Sequence, residues 1–306
     1  FAKEGMKRMS NPRRPGIAAL KEVSSVSGKI NAYDVGFKLG PRINAGGRLQ
    51  SAGVAVELLI SDDLERAREL AKTLNNENSK RQRIEEEIFS DAVSQIEGNP
   101  RFLESNSLVL SSHNWHPGVI GVVASRIVER YRRPAVLIAI GKGGIGKGSG
   151  RSVEGINESL SECRESFEQF GGHELAAGIS IREERIDEFR DRFERAVSER
   201  DGDFIKLKID CALDLADITD SIVSELDLIA PFGIGNPEPL FLSKSVEVIS
   251  QRLFKDRHLS LKLRQKGAVF DAIWFNLRES ITLPDRIDIV FIPEINIWNG
   301  KREIRL

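Results

Sequence analysis

Between Asp62 and Glu97 about 35 residues pass without a glycine or a proline, and the run stops at Gly98-Asn99-Pro100. No other feature restricts the fold as strongly. Asp62-Asp63-Leu64-Glu65 at its start resembles a capping box, and a glycine followed by a proline is a common way for a helix to end. The segment predicts one long helix, which at ~1.5 Å per residue spans on the order of 50 Å, enough to link separate domains. Its middle, Asn75-Asn76-Glu77-Asn78, offers few apolar anchors. The alternative is a break there, giving a kinked helical pair within one core.

The remainder divides around this rod. Residues 1–60 do not read as a complete domain: they hold basic turns such as Asn11-Pro12-Arg13-Arg14-Pro15-Gly16, a short apolar helix near Ile17–Val23, and a Gly-rich loop at Pro41–Arg48. From Ser107 the pattern becomes strand, helix, strand, with Leu108-Val109-Leu110, Pro117–Tyr131 and Ala135–Ile140. Strands at Ser149–Val153 and Ala177–Ile181 follow, with helices at Ile156–Phe167 and Glu183–Glu199. That alternation predicts an α/β domain closing near residue 203. Beyond it most segments read as strands: Lys206–Leu213, Leu240–Ile249, Leu259–Leu263, Val269–Phe275, Ile287–Ile292 and Glu303–Leu306, with one helix at Ser221–Ile229. So many short strands in about a hundred residues predict a small OB-like barrel. At 306 residues the chain is long for a single core, and the expected class is α/β plus all-β.

Charge matters here through its distribution. The formal net charge is only -1, yet residues 1–48 hold ten Lys/Arg against three Asp/Glu, residues 126–151 hold seven against one, and residues 152–203 hold seven against fifteen. Basic stretches beside acidic ones point to an electrostatic track on one face, with clustered surface charge as the plainer alternative. Cys163 and Cys211 are too few for a disulfide framework and lack zinc-site spacing, so both are expected reduced, buried and inert. No window approaches the ~18 apolar residues of a membrane helix. The chain opens on Phe1, and Phe-Ala-Lys-Glu lacks the pattern of a signal peptide, which reads as a piece of a longer protein.

The loop from Gly141 to Gly148 satisfies both GxGxxG and the first seven positions of a Walker A motif. Both fail on context, because Gly148 stands where Walker A needs Ser or Thr, and a strand follows where a dinucleotide fingerprint opens a helix. A flexible hairpin is the expectation, with its two lysines available to phosphate. Gly148-Ser149-Gly150-Arg151-Ser152 is a sharper candidate. Its glycines permit close backbone approach, Ser149 carries a hydroxyl, and Arg151 presents a planar fork to phosphate oxygens. Phe170-Gly171-Gly172-His173 and Pro41–Arg48 are two further stretches in which polar side chains are framed by small residues. His113 and His116 have H-x-x-H spacing without a third ligand, and no paired acidic motif occurs in a plausible active-site loop, so no metal site is expected in this chain.

Five stretches in order, PRINAGGRL at 41–49, NWHPGVIGVVASRI at 114–127, GKGSGRS at 146–152, FGGHELAAG at 170–178 and PFGIGNPEPLF at 231–241, closely resemble RecJ exonucleases of the DHH phosphoesterase superfamily. The resemblance runs through essentially the whole chain. It implies that residues 1–60 are the tail of the DHH domain, 61–100 the connecting helix, 101–203 the DHH-associated α/β domain, and 204–306 an OB fold. It also implies that Ser149 and Arg151, with Gly150, bind the 5′-terminal phosphate of a DNA strand. His173, framed by Gly171 and Gly172, would then face the same cleft near the reacting phosphodiester as a supporting catalytic residue. Arg48, with Asn44 and Arg42, would approach the DNA backbone. Trp115 is expected to pack, and the PFGIGNPEPLF loop to fix the way into the barrel.

By the same resemblance the parent protein hydrolyses single-stranded DNA 5′ to 3′ in repair and recombination. It uses manganese or magnesium held in a part of the DHH domain absent here, so this chain alone is expected not to turn over. Single-stranded DNA is the expected partner, with a RecQ-type helicase and a single-strand-binding protein beside it. No membrane is expected; the location is the bacterial cytoplasm, near the nucleoid. Two other readings stand. One is a stand-alone single-strand-binding module, with Phe254, Phe270, Trp274, Phe275 and Trp298 as stacking candidates, though packing is the commoner fate of such residues. The other is a DHH phosphodiesterase acting on short oligonucleotides.

Overall fold

A computed structural model describes residues 1–49, 52–152, 155–173, 175–199, 207–233, 235–255, 257–277, 281–298 and 300–306. The chain divides into two units, Arg8–Phe204 and Ile205–Leu306 together with Phe1–Lys7. The expected boundary at 203–204 lies outside the described residues.

Helices open the chain: α1 (Ala2–Ser10), α2 (Pro15–Val23), a π-helical stretch Asp34–Leu39 that continues into α3 (Gly40–Leu49), α4 (Gly53–Ile60) and α5 (Leu64–Glu97). The long helix exists and is unbroken over 34 residues. Asp63 is its N-cap, accepting from the backbone N–H of Glu65 at 2.8 Å and of Arg66 at 3.1 Å. The helix is as predicted, and the alternative of a break is not found; side chains satisfy the polar middle. Asn75 accepts from Arg42 Nε at 2.9 Å, and buried Asn78 accepts from Arg81 Nε at 3.3 Å, while Arg81 pairs with Glu85 at 2.6 Å. The N-terminal half of α5 buries Ala67, Leu70, Ala71 and Leu74 beside α2, α3 and α4, and its C-terminal half buries Ile88, Ala92 and Ile96.

The stretch Pro41–Arg48, expected as a loop, is helical. Ala45 and Gly46 are buried on α3, a helix that packs on α5 and α4, so these small residues belong to a packed helix and not to a turn.

A short helix α6 (Pro100–Glu104) leads into a five-stranded sheet of β1 (Leu108–Ser112), β2 (Ala135–Ile140), β3 (Ile145–Arg151), β4 (Gln169–His173) and β5 (Ala176–Arg182), in the order β1-β2-β3-β5-β4. Helix α7 (Ile120–Tyr131) joins the parallel pair β1 and β2. It packs with the end of α5 on the face that carries Leu108, Leu110, Ala135 and Leu137. The other face, with Val109, Val136, Ile138, Ile179 and Ile181, is covered by α8 (Ile156–Glu162) and α9 (Ile186–Ser198). Covered on both sides, β2 is buried at every residue.

Three expectations are corrected in this domain. Strand β3 begins at Ile145, so only residues 141–144 turn, with Gly143 and Gly144 at φ of 100° and 72°. Gly146, Gly148 and Gly150 are therefore strand residues on the buried face: a Cβ would meet Ile138 at 2.5 Å from Gly146, Ile179 at 2.4 Å from Gly148 and Ile156 at 3.0 Å from Gly150. Val153, included in the expected strand, lies outside the described residues. Phe170-Gly171-Gly172-His173 is the edge strand β4, with Gly171 opposite Gly178 and His173 opposite Ala176. The helix expected through Phe167 stops at Glu162 and passes into a short 3-10 turn, Arg164–Ser166.

The C-terminal unit is mostly strand: β6 (Cys211–Ala212), β7 (Phe241–Phe254), β8 (His258–Gln265), β9 (Ala268–Trp274), β10 (Arg286–Phe291), β11 (Glu294–Trp298) and β12 (Lys301–Arg305), with α10 (Asp220–Ile229) ahead of β7. The sheet path β10-β7-β8-β9-β12-β11 curls as a half-barrel over a core of Val246, Leu259, Leu261, Leu263, Ala272 and Phe291, the arrangement expected of an OB fold. β7 is longer than expected because a register shift between Val248 and Ser250 lets it bend and go on pairing with β8. β11, unforeseen, pairs with β12 as a hairpin. In the PFGIGNPEPLF loop, Asn236 Nδ2 donates to the carbonyls of Ile229 at 2.8 Å and Pro231 at 3.1 Å, tying the loop to the end of α10.

The cysteines differ from expectation too. Cys163 is buried, but Cys211 is exposed on the two-residue strand β6. Burial pushes the Cys163 thiol up to about 11, and only the thiolate is nucleophilic. Near pH 8 a thiol reagent is therefore expected to modify one cysteine, Cys211, in the native protein and both in denaturant. A second prediction concerns β3: Gly148→Ala is expected to cost about 1–3 kcal/mol in urea denaturation through overpacking. Gly171→Ala, whose Cβ meets nothing within 4 Å, should stay within about 0.5 kcal/mol. Equal effects would remove the packing role assigned to Gly148.

Candidate nucleic-acid interface

Because strand side chains alternate, the face of β3 opposite its glycines carries Ile145, Lys147, Ser149 and Arg151. Register then fixes what lies beside them. Arg151 is opposite Ala176 on β5, which is opposite His173 on β4; Ser149 is opposite Gly178, which is opposite Gly171. Arg151 and His173 thus share one face, about two strand spacings or ~10 Å apart. Between them lie Ala176, Gly178 and Gly171, which project little or no side chain. Helix α7 covers β1 and β2 on this side, whereas Gly171, His173 and Gly178 are exposed. The result is a shallow bay floored by bare backbone, with a cation at one side and an imidazole at the other.

Two more segments reach the cationic side. A Cβ on Gly121, in the first turn of α7, would lie 2.9 Å from Ser149 Oγ and 3.0 Å from an Arg151 Nη atom. A Cβ on Gly118 would lie 2.2 Å from the Arg48 carbonyl, and Arg48 Nη1 donates to the Gly118 carbonyl at 3.3 Å. The end of α3, the start of α7 and β3 therefore converge on one spot. Arg151 Nη1 donates to Ser149 Oγ at 2.9 Å and to the Gly150 carbonyl at 2.7 Å. Its other nitrogens, and the serine O–H, are left without a protein partner among the described residues. Burial, and after it the charge of Arg48, holds the Arg151 guanidinium below the ordinary arginine range. Among the described residues neither arginine has a carboxylate partner. Two cations, a hydroxyl donor and a helix N-terminus in a partly desolvated corner suit an anion.

Other candidates from the sequence are placed differently. Arg42 donates to Asn75 Oδ1, to the Lys38 carbonyl at 2.6 Å and to the Val23 carbonyl at 3.4 Å, so its donors brace α3 against α5 and the end of α2. Burial lowers its pKa as well. Asn44 is exposed on α3. Gly150 contributes its carbonyl to Arg151, and Gly172 is held tight against β5, where a Cβ would sit 2.6 Å from Ala177 Cα. His113 pairs with Glu183 at 2.9 Å and His116 Nδ1 accepts from the Gly118 N–H at 3.1 Å. Trp115 is buried and donates to Asp91 at 2.6 Å, so it packs.

In the C-terminal unit, Phe254, His258 and Phe275 form a ring cluster with centroids 5.2 and 5.5 Å apart, and Phe275 is 54% exposed. Trp274 is exposed, Phe270 packs on the half-barrel core, and the side chain of Trp298 lies outside the described residues. What residue-level reasoning missed is the small-residue frame: Gly118, Gly121 and Gly178 matter for the side chains they do not carry. All three stand inside stretches singled out by resemblance, but spacing gave none of them a role.

Comparison with known proteins agrees with this layout. Residues 104–199 match the DHHA1 domain and residues 209–306 the RecJ OB domain. The chain is 35% identical to the single-stranded-DNA-specific exonuclease RecJ of Bacillus subtilis, over 99% of this chain and 40% of that one. It is 34% identical to the RecJ exonuclease of Escherichia coli, over 99% of this chain and 56% of that one. The crystal structure of RecJ from Thermus thermophilus with Mg2+ superposes with a TM-score of 0.81 at 32% identity, covering 99% of this chain and 47% of that one. A second structure from the same organism, with Mn2+, gives 0.82. The chain spans about half the length of the curated relatives it matches.

The anion corner makes a direct prediction. Inorganic phosphate at ten times its Kd is expected to stabilise the protein by about 1.4 kcal/mol, read as a rise in melting temperature at fixed ionic strength. Arg151→Ala should abolish the rise and Arg48→Ala reduce it. An equal rise in all three proteins would mean that phosphate binds elsewhere.

Proposed function

Since the chain belongs to the RecJ family, carrying its DHHA1 and OB domains, we propose that the whole protein hydrolyses single-stranded DNA from the 5′ end, and that this chain holds the strand. The observation that supports this most is the convergence of Ser149, Arg151, Arg48 and Gly121 on one anion corner, with His173 across a bare bay on the same face. A terminal phosphate has the charge and the acceptor oxygens to engage the arginine fork and the serine hydroxyl together. His173 then stands about where the next phosphodiester falls, and supports the reaction there. On the same reading residues 1–60 close the DHH domain, 61–100 connect, 101–203 form the DHH-associated domain and 204–306 the OB fold.

RecJ structures hold Mg2+ or Mn2+. This chain does not fit such an ion by itself: among the described residues no three His, Cys, Asp or Glu side chains come together as ligands. We place the ligands in the remainder of the whole protein. The chain's own residues bind and orient: Ser149 and Arg151 fix the strand end, and Arg48 adds charge behind it. In the OB fold, Phe254, His258 and Phe275 supply faces for bases beside Arg252, Lys255 and Arg257. No helix among the described residues is long and apolar enough to cross a membrane. The relatives are bacterial single-stranded-DNA-specific exonucleases, and we place the whole protein in the cytoplasm, in repair and recombination, beside a helicase and a single-strand-binding protein.

Two measurements test the reading. Arg151→Ala is expected to weaken binding of a 5′-phosphorylated single strand by about 1.5–3 kcal/mol, roughly tenfold or more, and to leave a 5′-hydroxyl strand nearly unaffected; Ser149→Ala should act likewise by about 1 kcal/mol. Equal losses for both strands would reduce Arg151 to a structural residue. Incubation of this chain with manganese and a labelled single strand is expected to release no nucleotides, and robust release would refute the placement of the metal ligands.

A further inference from the structure

Beside the anion corner lies a cavity of about 390 Å3 lined by Trp115, Pro117, Ile140, Ile145, Lys142 and Lys147, among others. It has no part in the strand-end reading. Lys147 is on the same face of β3 as Ser149, one same-face step or about 7 Å along the strand. That step runs from Ser149 away from Arg151. Lys142 stands on the turn that precedes β3 and is exposed.

We infer that this cavity is a second phosphate subsite, in which Lys147 and Lys142 receive the outer phosphates of a 5′-triphosphorylated single strand whose innermost phosphate sits at Ser149 and Arg151. The inference rests on the strand-end reading above and extends it from a monophosphate to a polyphosphate end.

Four observations carry it. The two sites are contiguous, because Trp115 and Pro117 wall the cavity while Gly118 and Gly121 of the same segment border the anion corner. Lys147 is pre-positioned: its Nζ donates to Ser180 Oγ, opposite on β5, at 2.7 Å, and Ser180 is 5% exposed. One of three ammonium donors is used there, which leaves two for a ligand. Two carboxylates reach lining residues and both are engaged there: Glu183 with His113 at 2.9 Å, and Asp91, which accepts from Trp115 Nε1 at 2.6 Å. Finally, the walls are largely apolar, and a low-dielectric wall strengthens the attraction of an ammonium for a phosphate oxygen.

The test measures binding of one short oligodeoxynucleotide carrying a 5′-hydroxyl, 5′-monophosphate or 5′-triphosphate end, by fluorescence anisotropy with this chain. The triphosphate is expected to bind about tenfold tighter than the monophosphate, the worth of one charge-assisted hydrogen bond. Lys147→Met should shrink that advantage to about twofold and leave monophosphate binding within about twofold, while Lys147→Arg keeps most of it. Lys142→Met, on an exposed turn outside the core, should reduce the advantage partway and decides the matter if Lys147→Met misfolds. Lys72→Met, an exposed lysine on α5, is the control for net charge and should change nothing.

A triphosphate bound no better than a monophosphate overturns the subsite, as does an equal loss for both ends in Lys147→Met or the same loss in Lys72→Met. Failure of the underlying reading looks different: the monophosphate would bind no better than the hydroxyl, with the triphosphate still preferred and still sensitive to Lys147. Free ATP offers the same triphosphate without a strand. It is expected to compete at least about tenfold less well than the triphosphorylated strand, and equal competition would overturn assignment to a strand end.

Discussion

Gly146, Gly148 and Gly150 lie two residues apart on one face of β3, under Ile138, Ile179 and Ile156; a Cβ would force its neighbour to shift at Gly146 and Gly148 and would be tightly packed at Gly150. Side chains of β2, β5 and α8 fill the space the missing Cβ atoms leave, within the core that α8 and α9 share with this face. This packing also fixes which way the intervening residues point, since a one-residue slip in a strand exchanges its faces. Lys147, Ser149 and Arg151 are thereby committed to the α7 side, and their neighbours on β5 and β4 follow from register. The glycines that look like phosphate-loop residues in the sequence act instead as packing residues, and the anion-binding groups are the side chains between them.

Among the described residues, the corner they form carries positive charge without a carboxylate beside it. Bringing Arg48 and Arg151 together in a partly buried place has an unfavourable Coulomb energy and removes water that would screen it. A surface salt bridge could have relieved it cheaply, as it does for Arg66 with Glu57 or Arg264 with Glu247. Among the described residues no carboxylate supplies the counter-charge, and a bound anion is worth more here than at an exposed arginine. The packing that shapes the corner and the affinity it offers have the same origin.

Much of this was legible in advance, for identifiable reasons. The long helix, the α/β alternation and the change to strands all rest on local periodicity and stop signals, and all appear where expected. The bay was half legible. Ser149, Arg151 and His173 advertise themselves as polar residues among glycines, but their common face depends on β4 pairing with β5, and β4 carries no strand signal in the sequence because two of its five residues are glycine. Pro41–Arg48 misled for the same reason. Glycines that permit turns also permit close packing, and only tertiary contact distinguishes the two. Arg42 shows the converse: its motif position suggested DNA, but its donors are consumed by α5 and by backbone carbonyls. Cys211 escaped because a two-residue strand has too little pattern to show its exposure.

Helix α5 touches α3, which carries Arg48, near one end, and α7, whose first turn borders Arg151, near the other. Asn75 belongs to the first contact through Arg42 of α3, Glu85 and Glu86 to the second, where they bind Arg126 of α7 at 3.3 and 2.9 Å, and Asn78 with Arg81 lies between. The helix therefore works as a gauge block whose length sets the separation of two parts machined independently. Its composition on the solvent side is free to drift. Its residue count is not, because one inserted residue between Asn75 and Glu85 would turn everything beyond it by about 100° and advance it by about 1.5 Å. Arg48 and Arg151 would then no longer close on the same anion, although every residue of the corner was still present.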